Sequence, residues 1–317
     1  MQNNKVYEPE DKMVDLITDN ANVLQSLGSF GISLGFGDKT VRQVCETEKV
    51  DTTTFLAVVN LAVNNHHQMV DLEHISIPTL LKYLRTSHEF FLEFQLPKIR
   101  RELEVALDTK DSVAQLILRF YDNYARSVRT HMKYEEKSVF PYIEAIINKH
   151  TQTTTNINTF SQRHAENDRK LFELKNIIIK YLPTDDLHNN HLTSALYDIF
   201  NNEQWLHQHA LVEDYILIPA IRREEEKLGR EKVSFNISTM IGQKADNQQL
   251  SKREKDIIAC IVKGMTSQEI ADTLFISTNT VTTHRRNIAR KLQIHSPAGL
   301  TIYAIVNNIV DIDSVKL

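Results

Sequence analysis

The sequence predicts an all-α protein. Apolar residues recur at helical spacing in one stretch after another, LLKYLRTSHEFFLEF, VAQLILRFYDNYARSV, LFELKNIIIKYL and LTSALYDIFNNEQWL among them. Only eight glycines and seven prolines interrupt 317 residues, few enough to leave long helices whole. Capping boxes mark two helix starts near the end of the chain, Ser251 with Glu254 and Thr266 with Glu269. At 41% apolar and 25% charged, the chain is long enough for two or three small domains, each with its own core. No apolar run approaches the ~18 residues that span a bilayer, and the opening MQNNKVYEPEDK lacks the apolar centre of a signal peptide. The expected compartment is the cytoplasm, with no membrane partner. Cys45 and Cys260 stand alone and far apart, which argues against a disulfide framework or a sulfur-ligated cluster.

Taken in order, residues 1–65 read as a small helical domain. It comprises DKMVDLITDNANVLQSLG, a glycine-rich turn GISLGFGD, a helix KTVRQVCETEK, and a last helix capped by Asp51 or Thr52. Cys45 is expected to be a buried apolar residue. Residues 78–226 hold the four amphipathic stretches quoted above, with the polar, β-branched KHTQTTTNINTFS as the loop joining two halves. Residues 227–247 are charged and then polar, and read as a linker. Residues 248–317 form the last domain: Gly264 ends its first helix, Phe275, Ile276 and Ser277 make a tight turn, and TNTVTTHRRNIARKL follows with no acid in it. Two short helices joined this way, the second one basic, form a helix-turn-helix. From Leu250 to His295 there are eight Lys or Arg against four Asp or Glu, while the whole chain carries −4. A basic end on an acidic protein suggests a nucleic-acid contact, although basic helix faces are often merely solvated; with the helix-turn-helix, the expected partner is double-stranded DNA.

The chemistry sits in the middle. His131–Pro141, HMKYEEKSVFP, returns 78 residues later as His209–Pro219, HALVEDYILIP. Each copy places a glutamate four residues after its histidine (Glu135, Glu213), then a second acid, an apolar pair, and a proline ten residues after the histidine. Residues four apart share a helix face, so each imidazole points with its carboxylate. A single pair of this kind is more often a surface hydrogen bond, but two in register are a repeat. His88 precedes the first pair by 43 residues and His164 the second by 45. Four helices giving one, two, one and two inward groups would build a pseudo-twofold bundle around two cations. Nitrogen and carboxylate donors without thiolate suit iron or manganese better than a structural zinc site. His207, two residues from His209, faces elsewhere on the helix. His66, His67, His74, His150, His188 and His191 lack matching partners and read as surface or capping residues. Tyr121, Tyr124, Tyr134 and Trp205 read as core.

This pattern resembles the hemerythrin-like, HHE cation-binding domains, and within them the repair-of-iron-centres proteins. The resemblance implies His88, His131, Glu135, His164, His209 and Glu213 as ligands of two iron ions. The glutamates would bridge them, and one open position would take dioxygen or nitric oxide. The small N-terminal domain is similar to theirs in length and order, but that family carries adjacent cysteines where this chain has Leu34, Gly35 and Phe36. A packing or dimerising module is the better reading of it here. The string from about Gln248 to Ile309 resembles the LuxR-type DNA-binding domain. That resemblance implies Thr282, Thr283 and Arg286 at base edges and Thr278, Thr280, Arg285 and Lys291 at phosphates, with Val281, Ile288 and Leu292 facing inward and His284 in packing or at a phosphate. The helix after Ser296 is where such domains pair, so a homodimer is expected. The combined expectation is a regulator, not an enzyme, in which the metal domain senses a gas or oxidant. The alternative is a repair or nitric oxide/peroxide-consuming protein with an accessory DNA-binding domain.

Overall fold

The computed structural model describes residues 5–63, 72–148, 157, 164–182, 189–228 and 250–311; the side chains of residues 164–168 lie outside that description. Among the described residues there is no β-strand, only a single bridge between Lys12 and Thr40. The chain divides into two compact units, one of Met1–Pro97, Arg129–His164 and Phe200–Phe235, the other of Lys98–Val128, Ala165–Ile199 and Asn236–Leu317.

The first unit opens with α1 (Met13–Asp19) and α2 (Val23–Phe30). The sequence reads these as one stretch; Asn20 divides them. Its backbone is extended and its side-chain oxygen accepts from the amide of Asn22 at 3.0 Å, a local bond that competes with helical pairing. Gly31 ends α2 at φ 73°, a left-handed conformation that costs glycine nothing. There the amide of Ile32 returns to the carbonyl of Leu27. Thr40 and Gln43 cap each other at the start of α3 (Val41–Glu48). At the start of α4 (Thr52–Val63) the carboxylate of Asp51 accepts from the amide of Thr54 at 2.8 Å, so of the two candidates Asp51 is the cap. Cys45 is fully buried, and burial pushes its thiol up to about 11, as an apolar core residue requires.

These four helices share one core with the segments that carry the paired histidines and glutamates. Met13, Phe30 and Phe55 belong to the same buried cluster as Leu84 of α5 (Ile77–Glu89), Phe140 of α8 (Phe140–Ile147) and Ile216, in the turn before α11 (Ile218–Lys227). The contact between α2 and α5 includes a buried Ser29–Ser87 hydrogen bond of 3.3 Å and the rings of Phe30 and Tyr83, 4.6 Å apart.

Three helices widen at equivalent places. After α5 a π-helical turn covers Phe90–Gln95, leading into α6 (Leu96–Ala106). After α7 (Ser112–Tyr134) another covers Glu135–Val139, and after α10 (Asn190–Val212) a third covers Glu213–Leu217. Each is followed by a proline: Pro97, Pro141 or Pro219. Proline offers no amide hydrogen and its ring collides with the carbonyl four residues back. The preceding amide instead reaches five residues back, Phe140 to Glu135 and Ile218 to Glu213. The proline repeated in the sequence is thus the cause of a wider turn that begins at each site glutamate.

The second unit contains α6, the start of α7, α9 (His164–Tyr181) after its first residue, the start of α10 and the last four helices. Those are α12 (Lys252–Val262), α13 (Ser267–Leu274), α14 (Thr278–Leu292) and α15 (Pro297–Val306). Both expected capping boxes are present, at Ser251 and at Thr266. Phe275 turns the chain between α13 and α14 with φ 54° and is 94% exposed. α12 packs on α15 and α14, and α13 on α14.

Candidate metal centre and nucleic-acid interface

His88, Glu135, His209 and Glu213 are all buried and offer ligand atoms within 4.8 Å of one another. The two carboxylates are 0% exposed. His88 Nε2 lies 3.1 Å from Glu135 Oε2 and 3.2 Å from His209 Nε2; His209 Nε2 lies 3.5 Å from Glu213 Oε1. The other oxygen of Glu135, Oε1, is 2.7 Å from Nε2 of His131, which is also buried. One carboxylate therefore directs its two oxygens at two different imidazoles, the disposition a bridging ligand needs. His164 opens α9, and its side chain lies outside the described residues.

Burying two carboxylates is costly unless positive charge meets them. Here imidazoles surround them. Burial opposes a proton on His88, but hydrogen bonds to Glu135 and Glu136 outweigh it and raise its pKa to about 9. Donor atoms about 2.1 Å from a shared cation at right angles sit roughly 3 Å apart, close to the 3.2 Å between the two Nε2 atoms. The donor set fits a first-row transition cation such as iron or manganese.

The sequence noted the acid after each glutamate without giving it work. Glu136 Oε1 lies 3.0 Å from His88 Nδ1. The His88 hydrogen bond, helped by Arg85, holds the Glu136 carboxyl below its usual range against the opposing effect of partial burial. His207 is exposed, as expected, and Trp205 is partly buried with its ring 5.6 Å from that of Phe90. Tyr121 and Tyr124 are buried with ring centroids 6.0 Å apart.

In the last domain, Thr282, Thr283 and Arg286 are exposed on α14, while Val281, Ile288 and Leu292 face inward. The hydroxyls of Thr282 and Thr283 donate to the carbonyls of Thr278 and Asn279. Thr278 is exposed; the Thr280 hydroxyl lies 2.8 Å from that of the cap Ser277. Arg285 Nη1 lies 3.3 Å from the Ser267 hydroxyl. Lys291, expected at a phosphate, has a partner within the domain. Its ammonium is turned inward onto Glu254 at 2.8 Å, where a buried carboxylate holds it. Glu254 is set by its own helix as the capping partner of Ser251, so the pull is internal to the domain.

A further carboxylate was not visible in the sequence. Glu173 of α9, 1% exposed, accepts from the amides of His295 and Ser296 at 2.8 and 3.3 Å and from the Ser296 hydroxyl at 2.5 Å. These groups form the N-terminus of α15, where the helix dipole and unpaired amides favour an anion. Tyr181 of α9 meets Tyr303 of α15 edge to face, with centroids 4.8 Å apart.

Comparison with known proteins agrees with both halves. Residues 79–221 match the hemerythrin HHE cation binding domain, and residues 248–304 match the bacterial regulatory proteins of the luxR family. Similar proteins include the transcriptional regulatory protein MctR of Rhizobium johnstonii, 48% identical over 61 residues, 19% of this chain and 28% of that protein. The oxygen regulatory protein NreC of Staphylococcus carnosus is 42% identical over 62 residues, 20% and 29% of the two chains. The transcriptional regulatory protein LiaR of Bacillus subtilis is 34% identical over 98 residues, 30% and 46%. The chain thus spans less than half the length of each of these relatives. No helix among the described residues is long and apolar enough to cross a membrane.

Proposed function

We propose that this chain, which joins a hemerythrin HHE domain to a luxR-family DNA-binding domain, is a one-component transcriptional regulator. A pair of non-haem iron ions in the bundle would sense nitric oxide, dioxygen or oxidative stress and thereby set the affinity for double-stranded DNA. The observation that carries this reading is the juxtaposition of fully buried Glu135 and Glu213 with His88 and His209, in the same chain as an exposed, basic recognition helix. His88, His131, Glu135, His164, His209 and Glu213 would hold the metals. Bound iron would supply the redox change and the open position for a small ligand. The chain's own contribution is to keep the site dry and to link it to the DNA-binding helices.

That link runs through α9. The helix begins with His164 and carries Glu173 nine residues later, about 13 Å along its axis at 1.5 Å per residue. Glu173 in turn caps α15. The hydrogen bonds made by Glu173 are what favour α9 as the transmitter. A ligand that draws on His164 differently in two metal states would shift α9 and loosen or tighten its hold on the helix expected to pair two copies on DNA. A coupling of about 1–3 kcal/mol corresponds to a roughly 5- to 150-fold change in affinity.

The test uses a duplex selected from random-sequence DNA by the purified protein. Its affinity is measured for the reduced, oxidised, nitrosylated and metal-free forms. At least a fivefold spread is expected, and equal affinities in all four would overturn the sensor reading.

A further inference from the structure

The two imidazoles that meet at 3.2 Å are held very differently. His209 has no hydrogen-bond partner at Nδ1 among the described residues and is oriented by packing, with the ring of Phe91 edge-on at 5.9 Å. His88 is held by two groups beyond the site itself, one of them braced in turn. Its Nδ1 meets Glu136 at 3.0 Å, its ring stacks on Phe140 at 5.4 Å, and Glu136 is itself braced by Arg85, whose Nε lies 3.3 Å from Oε2. Arg85 also holds Glu144 at 2.8 Å and lies over the Phe140 ring at 5.4 Å. Arg85, Glu136, Glu144 and Phe140 thus form a frame around one ligand, built from α5, the π turn and α8.

We propose that Glu136, braced by Arg85, is a positioning residue that fixes His88 as the Nδ1–H tautomer and so presents Nε2 to a metal ion. This rests on the metal-binding reading above. The physical reason is general: a carboxylate accepting from the far nitrogen of an imidazole sets its tautomer and ring angle and raises its basicity. Removal of such a partner typically weakens metal binding about 10- to 100-fold. Arg85 prevents the carboxylate from turning to solvent. His209 has no such frame, so affinity at the position shared by His88 and His209 depends on Glu136 more than on any other residue outside the ligand set.

The test is an anaerobic titration of the full chain with ferrous ion against a chromogenic chelator, on the wild type and on Glu136→Ala, Glu136→Gln and Arg85→Met. The expected result is a 10- to 100-fold weaker iron affinity for Glu136→Ala. Glu136→Gln, whose amide oxygen still accepts from Nδ1–H, should recover part of the loss, and Arg85→Met should lose less than Glu136→Ala. On the zinc-loaded protein, ¹⁵N imidazole spectra should show His88 protonated at Nδ1 in the wild type and lose that single tautomer in Glu136→Ala. Unchanged affinity or an unchanged tautomer in Glu136→Ala, with the wild type binding iron, overturns the positioning role alone. A wild type that takes up no iron overturns the metal reading beneath it. If Glu136→Ala does not fold, Glu136→Gln and Arg85→Met decide the matter by the same two measurements.

Discussion

The buried carboxylates of this molecule are neutralised by two different means. In one group the chain provides the positive partner itself: Glu254 of α12 has Lys291 at 2.8 Å, and Glu173 of α9 has the amides at the start of α15. In the bundle, Glu135 and Glu213 are equally buried but face imidazoles. An imidazole balances a carboxylate only by taking up a proton, or by sharing a cation that comes from outside. The difference separates carboxylates met by an ammonium or by helix amides from carboxylates met by imidazoles, whose charge depends on a proton or a shared cation.

The most severe way to break the comparison is His131→Ala with Glu135→Ala. Elemental analysis should find the bound metal lost, and iron should no longer raise the temperature of unfolding. A site-bound ion at a thousandfold excess over its Kd contributes about 4 kcal/mol, so that stabilisation should vanish while DNA is still bound.

Next comes the internal pair. Lys291→Met strands a buried carboxylate and should destabilise the DNA-binding helices by about 3 kcal/mol. Adding Glu254→Leu should restore part of that, measured by chemical unfolding. Burial alone would raise the Glu254 carboxyl, but Lys291 and the Ser251 cap outweigh it and hold it below its usual 4.5. Its stabilisation is therefore complete above that usual value and is lost as pH falls through the lowered one. Glu254→Gln should flatten this acid limb.

A finer test concerns which cations remain for DNA. Arg286→Ala should relax preference at one base pair by about 1–3 kcal/mol, and Arg285→Ala should reduce the salt dependence of binding by about one ion. Lys291→Ala should leave that salt dependence unchanged, because its charge is already engaged by Glu254; a reduced slope would show it on a phosphate. The smallest effect is expected from Glu173→Gln. It keeps the shape of the cap but removes its charge, and should narrow the difference in DNA affinity between metal-loaded and metal-free protein by about 1 kcal/mol.

What could be read in advance was local. The offsets of His131 to Glu135 and His209 to Glu213, the caps at Ser251 and Thr266, and the inward stripe of Val281, Ile288 and Leu292 repeat within a turn or two of helix, where spacing fixes direction. The partners that were missed are distant in sequence: Lys291 lies 37 residues from Glu254 and Glu173 lies 122 from His295. No periodicity announces such pairs. The π turns are intermediate, since the prolines were conspicuous and only their effect on hydrogen bonding was not drawn. Glu136 was likewise in plain view, but its target on α5 is 48 residues away.

The common core of α1–α4 with α5 has a consequence for anyone wishing to trim or transplant the bundle. A cut just before residue 79, where the match to the hemerythrin domain begins, would strip the cover from Leu84 and Tyr83 and take away the Ser29 partner of Ser87, next to His88. The leading helices are better regarded as part of one core with α5 than as an attachment to it, and a graft into another chain should carry them along.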